Sequence, residues 1–296
     1  EVMPHADDWD EAGAIPTELW SKAAEVGLLG LGYPEQFGGT PADSWHSWIV
    51  NEELSRVGVG GISASLMVHG IGLPPVLNWG PEWMQAEVAP PVLEGEKWIS
   101  LGITEPGGGS DVANLATTAV RDGDHFVVCG SKTYITGGMR ANWVSTAVRT
   151  GGEGAGGVSM LLIPTDAEGF SRTPLDRKMG WWASDTATLY FDEVRVPAAK
   201  LLGAANEGFK GIMTNFNSER MGMAAAMEAY ARVCLEEAVA WATERKTFGK
   251  RLADHQVIRH KIAQMKQQLN ATQAYIRMCY ESIEAGTHEN LSLIHI

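Results

Sequence analysis

The feature that most constrains this chain is a double change of hydrophobic period. Over the first ~95 residues the apolar side chains recur at helical spacing. At Trp98 the pattern switches to alternation, beginning with Trp98-Ile99-Ser100-Leu101-Gly102-Ile103, and from Glu207 the helical period returns. Within the alternating block, His125–Cys129, Trp143–Val148, Val158–Ile163 and Thr186–Val196 read as strands, and Arg121-Asp122-Gly123-Asp124 as a hairpin turn. The glycine tract at 151–157 is a loop between two of them. About six short strands with no helix among them predict a small antiparallel barrel or sandwich. The expected fold class is therefore α+β and multidomain. An N-terminal all-α domain spans 1–97, a central antiparallel β-barrel or sandwich 98–203, and an incomplete C-terminal α-helical bundle 204–286.

In the first block, residues 14–30 read as a helix and its stop, with Pro16 in the first turn and Gly27 and Gly30 at the end. Further helices are expected over 44–57, with Trp45, Trp48, Ile49 and Leu54 on the buried side, over 63–79, crossed by Pro74-Pro75, and over 81–93. In the last block, Ile258, Ile262, Met265, Leu269, Thr272, Ile276, Cys279 and Ile283 alternate steps of four and three. That is a seam for antiparallel helix packing.

A chain of 296 residues, 45% of them hydrophobic, is long enough for two or three domains with sizeable cores. Its formal net charge of -13 argues against a nucleic-acid partner, although not against a small anionic ligand held by local donors. Cys129, Cys234 and Cys279 are widely spaced and read as reduced packing residues of a cytosol-like compartment. The histidines form no metal-binding spacing, so no metal is expected. The N-terminus has no signal-peptide pattern and no initiator methionine, and no run reaches the ~18 apolar residues of a membrane span.

Two patches stand out in the alternating block: Ile103-Thr104-Glu105-Pro106-Gly107-Gly108-Gly109-Ser110-Asp111 and Lys132-Thr133-Tyr134-Ile135-Thr136-Gly137-Gly138. Each closes a β-type run in hydroxyl residues and glycine. The Gly-Gly-Gly-Ser turn lets backbone N–H groups approach a ligand, since no Cβ stands in the way. It is neither a Walker loop nor a dinucleotide fingerprint, and alone it also reads as an ordinary glycine-rich hairpin loop.

Taken together, the two patches resemble the middle domain of the acyl-CoA dehydrogenase family. Glu244-Arg245-Lys246-Thr247-Phe248-Gly249-Lys250 with His255-Gln256 resembles that family's second signature, and Pro34-Glu35-Gln36-Phe37-Gly38-Gly39 its N-terminal domain. Asp185-Thr186 and Phe191–Pro197 match its strand leading back to the bundle. The match covers nearly the whole chain. The ending after Gly286 continues neither the heptad nor the family pattern, so 287–296 reads as a non-family tail on a C-terminally truncated chain.

The resemblance implies FAD as cofactor. It implies backbone and hydroxyl contacts to the flavin from Ile103, Thr104, Ile135 and Thr136, with Tyr134 in the family's aromatic position against the isoalloxazine. Gly109 and Ser110 would approach the pyrophosphate or the thioester arm. Arg245, Thr247, Phe248 and Gln256 would grip the FAD diphosphate and adenosine of a neighbouring subunit, Arg245 through its planar donor fork. This implies a homodimer or homotetramer. The residues themselves also allow a solvated helix end there. The pair Trp181-Trp182 reads as a half-buried strand start or as lining for an acyl or partner surface.

On the helix around 209–227, Phe209, Ile212, Met213, Phe216, Met223 and Met227 form an apolar face, and spacing places Glu219 on it. Burial would raise the pKa of that carboxylate while Arg220 beside it would favour the charged form. A general base and a structural ion pair fit this pattern equally. The resemblance implies the base: a subset of the family, including members acting on isovaleryl and long-chain substrates, carries it in such a Glu-Arg pair. Glu219 would take the α-proton, Arg220 orienting it, while a hydride leaves Cβ for the flavin. The implied activity is oxidation of an acyl-CoA to a trans-2-enoyl-CoA as in fatty acid β-oxidation, with electrons passed to an electron-transfer flavoprotein. The setting would be a bacterial cytoplasm or, second, a mitochondrial matrix. An acyl-CoA oxidase or flavin monooxygenase of the same superfamily, or a non-catalytic flavin-binding fragment, are the alternatives.

Overall fold

A computed structural model of the chain describes residues 2–176 and 178–287. The expected tail at 287–296 thus lies, from residue 288 onward, outside the described residues. The chain divides into two compact units, one formed by 1–41 and 59–217, the other by 42–58 and 218–296.

The first unit opens with short helices, α1 (Ala6–Ala12) and α2 (Glu18–Glu25), while α3 (Ser44–Ser55) belongs to the second unit. The single helix expected over 63–79 is three pieces, α4 (Gly60–Leu66), α5 (His69–Gly72) and α6 (Pro74–Trp79), followed by α7 (Glu82–Leu93). Pro74 and Pro75 have no N–H to continue a ladder, and so they start a new helix instead. The break lets α5 lie close on the sheet: a Cβ on Gly72 would stand 2.8 Å from the carbonyl of Ile99.

The sheet contains β1 (Ile99–Gly102), β2 (Thr118–Asp122), β3 (His125–Thr136), β4 (Trp143–Arg149), β5 (Val158–Pro164), β6 (Phe170–Pro174), β7 (Thr186–Pro197) and β8 (Leu201–Leu202). Its order is β6-β7-β3-β2-β4-β5-β8, with β1 added beside β4. Here the structure corrects the sequence expectation. The sheet is mixed rather than antiparallel, because β1 and β2 both pair with β4 in parallel, and its path has two free ends and does not close into a barrel. Non-helical connections suffice for these parallel pairs, as the segment from β1 to β2 wanders through 103–117 without a helical crossover of α type.

Both faces of β4 and β5 are buried, and strand alternation sorts their residues into two cores. Trp143, Ala147, Met160 and Leu162 join Val76, Met84, Val88 and Val92 of the helices in one cluster. Val144, Val148, Leu161 and Ile163 join Phe126, Val128, Leu189 and Val194 in the other.

The second unit is helical. The helix α8 (Gly208–Glu244) enters it at residue 218, a hairpin of β9 (Lys246–Thr247) and β10 (Lys250–Arg251) follows, and α9 (Gln256–Glu284) ends it. Its core is Trp48, Met221, Ala225, Ile276, Cys279 and Tyr280, with Trp48 stacked on Tyr280 at 5.2 Å between ring centres. Arg232 bridges α8 to α3, reaching Glu52 at 3.2 Å and the buried Glu228 at 2.8 Å. The apolar stripe expected along α8 turns at this point. Met221 and Ala225 are buried while Met223 is 61% and Met227 45% exposed, because the packing partners α3 and α9 meet the next face round. The seam of α9 is likewise covered only near Ile276 and Cys279; Met265 is exposed. Ile49 of α3 points to solvent, against expectation. Of the cysteines, Cys279 packs in the core, but Cys129 and Cys234 are exposed.

Candidate active site

The two patches singled out in the sequence meet at the end of β1. On β3, the register against β7 shifts between Lys132 and Ile135, leaving a bulge at Thr133 and Tyr134. Regular alternation would put Tyr134 on the same side as Lys132. Instead Tyr134 takes a left-handed backbone, φ 59°, and its ring is 65% exposed, whereas Lys132 on one side and Ile135 on the other are buried. A non-glycine residue held at positive φ costs of order 1–3 kcal/mol, a strain the surrounding sheet must over-determine.

What over-determines it is a set of bonds from β3 to the strand end at 103–105. The Thr133 N–H donates to the carbonyl of Thr104 at 2.9 Å. The Lys132 ammonium donates to the carbonyl of Ile103 at 3.1 Å and to Glu105 Oε1 at 2.8 Å. Glu105 in turn accepts the N–H groups of Ala116 at 2.6 Å and Thr117 at 2.9 Å. Burial works against the charged form of Glu105, but Lys132 and these donors outweigh it and hold the carboxyl below its ordinary range. Burial pulls Lys132 down to about 8 against the attraction of Glu105. Sequence reasoning missed this pair. Its one signal is a lysine among inward-facing strand residues, since a buried cation needs a partner.

A second ion pair holds the opposite rim. Asp185 accepts from the Met139 N–H at 3.0 Å and from Arg140 Nε at 2.7 Å, and its own carbonyl takes the Gly137 N–H at 2.9 Å. Arg140 lies over the Trp20 ring at 4.5 Å. Ser100 Oγ donates to the carbonyl of Thr136 at 2.8 Å, so the turn after Thr136 is fixed from both sides. Gly137, at φ 68°, makes that turn, and a Cβ on Gly138 would stand 2.7 Å from Ala187 Cβ.

The surface so framed has half-buried hydroxyls at Thr104 and Thr136, an exposed hydroxyl at Ser110, and the exposed ring of Tyr134. Ile103 and Ile135 are buried beneath it. Gly107 and Gly108 have no positive φ, and a Cβ on either would meet no atom within 4 Å. Nothing inside the described chain requires glycine there, and both face open space. Gly109 is closer set: a Cβ on it would stand 3.3 Å from the Thr104 methyl. Hydroxyls, backbone groups and an aromatic face suit a flat heterocycle with polar edges, and these residues fit the flavin of FAD.

The second signature lies in the second unit. Where a helix end was expected, residues 246–251 form a hairpin with Phe248 and Gly249 at its tip, both at positive φ (50° and 79°), as a type I′ turn requires. Phe248 is 97% exposed, and Arg245 and Gln256 are exposed beside it in sequence. Thr247 Oγ1 pairs with His255 Nε2 at 3.1 Å. Arg245 and Phe248 of this connection and Gln256 at the start of α9 are exposed to solvent, and Thr247 is half-buried.

Glu219 is half-buried on α8 and Arg220 exposed. Arg220 belongs to the rim of a groove of about 780 Å³ between α8 and α9, lined by Met223, Met227, Leu235, Met265 and Leu269. Trp181 and Trp182 stand in the loop before β7, about half exposed, with Lys178 Nζ donating to the carbonyls of Trp181 and Ser184. The Trp181 ring covers Gly60, where a Cβ would fall 2.4 Å from its indole nitrogen. They are a pinned loop, not a strand start.

Comparison with known proteins gives the family. The family model "Acyl-CoA dehydrogenase, N-terminal domain" matches residues 1–96, "Acyl-CoA dehydrogenase, middle domain" 100–194, and "Acyl-CoA dehydrogenase, C-terminal domain" 206–294. This chain belongs to the acyl-CoA dehydrogenase family, a family of FAD-dependent oxidoreductases. It is 37% identical to acyl-CoA dehydrogenase AFT10-1 of Alternaria alternata over 95% of its own length and 68% of that protein's. Among solved structures, one described as a probable acyl-CoA dehydrogenase from Mycobacterium abscessus is 48% identical, with a TM-score of 0.94 over 97% of this chain and 76% of that one. A glutaryl-CoA dehydrogenase from Mycobacterium smegmatis in complex with FADH2 is 27% identical, with a TM-score of 0.91 over 98% of this chain and 73% of that one. The chain is thus shorter than its relatives. Among the described residues, no single helix is long and apolar enough to cross a membrane.

Proposed function

We propose that this protein dehydrogenates an acyl-CoA thioester to its trans-2-enoyl-CoA, and that an electron-transfer flavoprotein takes the electrons onward. The observation that carries this reading is the bonded meeting of the two patches, with Tyr134 held at positive φ and turned outward beside Thr104. FAD, when bound, accepts the hydride that leaves Cβ.

The rest falls to residues of the chain. Ile103, Thr104, Ile135 and Thr136 seat the ring through backbone and hydroxyl groups, Tyr134 offers it an aromatic face, and Gly109 and Ser110 meet the pyrophosphate or the thioester arm. Glu219 removes the α-proton, and Arg220 orients it. Arg245, Thr247, Phe248 and Gln256 serve the FAD of a second copy, which makes the enzyme a homodimer or homotetramer. The exposure of Phe248 on a strained turn supports that role. The three domains would span 1–97, 98–203 and 204–286; the C-terminal family model runs on to residue 294, into the stretch 287–296 expected as a tail. The position of Glu219 favours branched or longer acyl chains in β-oxidation, in a bacterial cytoplasm or a mitochondrial matrix.

The test is anaerobic titration of the FAD-loaded protein with acyl-CoAs of graded length and branching. Bleaching of the flavin band by one chain class is the expected result and names the substrate. A protein that holds FAD but is bleached by none of them refutes the reading. Stoichiometric peroxide in air, with no transfer to an electron-transfer flavoprotein, would make it an oxidase instead.

A further inference from the structure

We propose that Lys132 and Glu105 are positioning residues for the flavin seat, and that this buried pair sets how tightly and in what orientation the isoalloxazine is held. The inference rests on the reading that Ile103, Thr104 and Tyr134–Thr136 form that seat.

Two successive residues of β3 grip three successive residues of the other patch. Lys132 takes the Ile103 carbonyl and the Glu105 carboxylate, and Thr133 takes the Thr104 carbonyl between them. Thr104 therefore has a bond on each side of it in sequence, and its backbone cannot rotate without breaking one. The bulge opens immediately after Lys132, at Thr133 and Tyr134, so the residue whose N–H holds the Thr104 carbonyl stands directly before the left-handed Tyr134, with the buried ammonium one residue further back. Glu105 extends the grip to the far end of the connection that carries the glycine turn, through the Ala116 and Thr117 N–H groups just before β2. One ion pair thus joins the hydroxyl, the aromatic face and the glycine turn.

A pair of this kind is a poor choice for stability alone. The Lys132 side chain is fully buried and that of Glu105 nearly so. Taking two charges out of water costs about as much as their attraction returns, and apolar replacements of similar volume are often neutral or stabilising. Packing would be served as well by a methionine. What an apolar pair cannot do is hold the Ile103 carbonyl and the Ala116 and Thr117 N–H groups in one fixed arrangement, and the first of these groups adjoins Thr104 in the proposed seat.

The test uses the full chain as purified and three variants: Lys132→Met, Glu105→Gln, and Val128→Ala as a control. Val128 is buried on the same β3, in the second core, away from the seat. For each, FAD affinity is measured by titration, the quenching and band shape of the bound flavin at saturation are recorded, and stability is taken from unfolding of the FAD-free protein. We expect Lys132→Met to weaken FAD at least tenfold, with a less quenched and less structured flavin band even at saturation. Glu105→Gln, which keeps the shape and an acceptor, should show the same change in smaller degree. Val128→Ala should lose stability and keep the native flavin band.

If Lys132→Met does not fold, Glu105→Gln against Val128→Ala decides. FAD affinity within twofold of the parent in a folded variant, or an unchanged flavin band at saturation, would overturn the positioning role. Losses of affinity that simply follow lost stability across all variants would overturn it too. A parent chain that binds no FAD overturns the seat itself, and with it this inference.

Discussion

Protonation of His69 should make the first unit weaken as pH falls from 7 to 5, and the size of the effect follows from its surroundings. His69 begins α5, is 4% exposed, and its Nε2 lies 2.9 Å from the carbonyl of Leu29, which can only accept, so this nitrogen carries the proton. Its ring stands 5.7 Å from that of the half-buried Tyr33, whose own pKa desolvation raises, so Tyr33 stays neutral throughout. Desolvation lowers the His69 pKa from 6.5 to about 4, against the smaller, opposing pull of the Leu29 and Leu66 carbonyls. The unfolded chain therefore takes up a proton between these two values and the folded chain does not. Stability is fully present above 6.5, is lost as pH falls towards 4, and changes no further below that.

For one group with those two pKa values, the step from pH 7 to pH 5 costs about 2 kcal/mol. Exposed carboxylates and other histidines add their own pH dependence, so the comparison is made with His69→Gln, which does not titrate. Urea unfolding of both proteins at pH 7 and pH 5, at one fixed FAD concentration, isolates the difference. The parent should lose about 2 kcal/mol more than the variant over that interval. Following the His69 ring protons by NMR should give no titration above about pH 5 while the protein is folded. Parallel losses in the two proteins, or a ring titrating near 6.5, would refute the argument from burial.

Other consequences are as direct. Trp48→Ala removes the ring stacked on Tyr280 at the centre of the second unit and should cost about 3–5 kcal/mol, read as a lowered unfolding midpoint and a weaker near-ultraviolet aromatic signal. Gly138→Ala sets a methyl 2.7 Å from Ala187 Cβ and should cost about 1–3 kcal/mol by forcing the turn after Thr136 to move; an unchanged midpoint would show that the turn gives freely. Glu219→Gln, under the proposed chemistry, should bind acyl-CoA and slow flavin bleaching about 10²–10⁴-fold, whereas near-normal bleaching would remove Glu219 from the role of base.

The sequence by itself determined the order helical, β, helical, because hydrophobic period depends on local backbone geometry and is written into neighbouring residues. It also marked both patches that meet at the end of β1, since hydroxyl and glycine patches of that form are local motifs, but it ran a single helix across Pro74-Pro75, where the structure starts a new one. Tertiary structure alone decided how those halves are joined. The Lys132–Glu105 pair spans 27 residues and the Lys132–Ile103 bond 29, and no local pattern records which distant group a buried lysine will meet. The outward turn of Tyr134 has the same origin: alternation places it inside, and only the register shift against β7 reverses that. The parallel pairing of β1 and β2 with β4, which leaves the sheet mixed and open, was equally hidden, because strand sequences carry their faces but not their partners. On α8 the period was read correctly as helical, yet Met223 and Met227 lie outside the core. A helix can offer apolar residues on more than one face, and which face is buried is decided by the elements that pack against it, here α3 and α9.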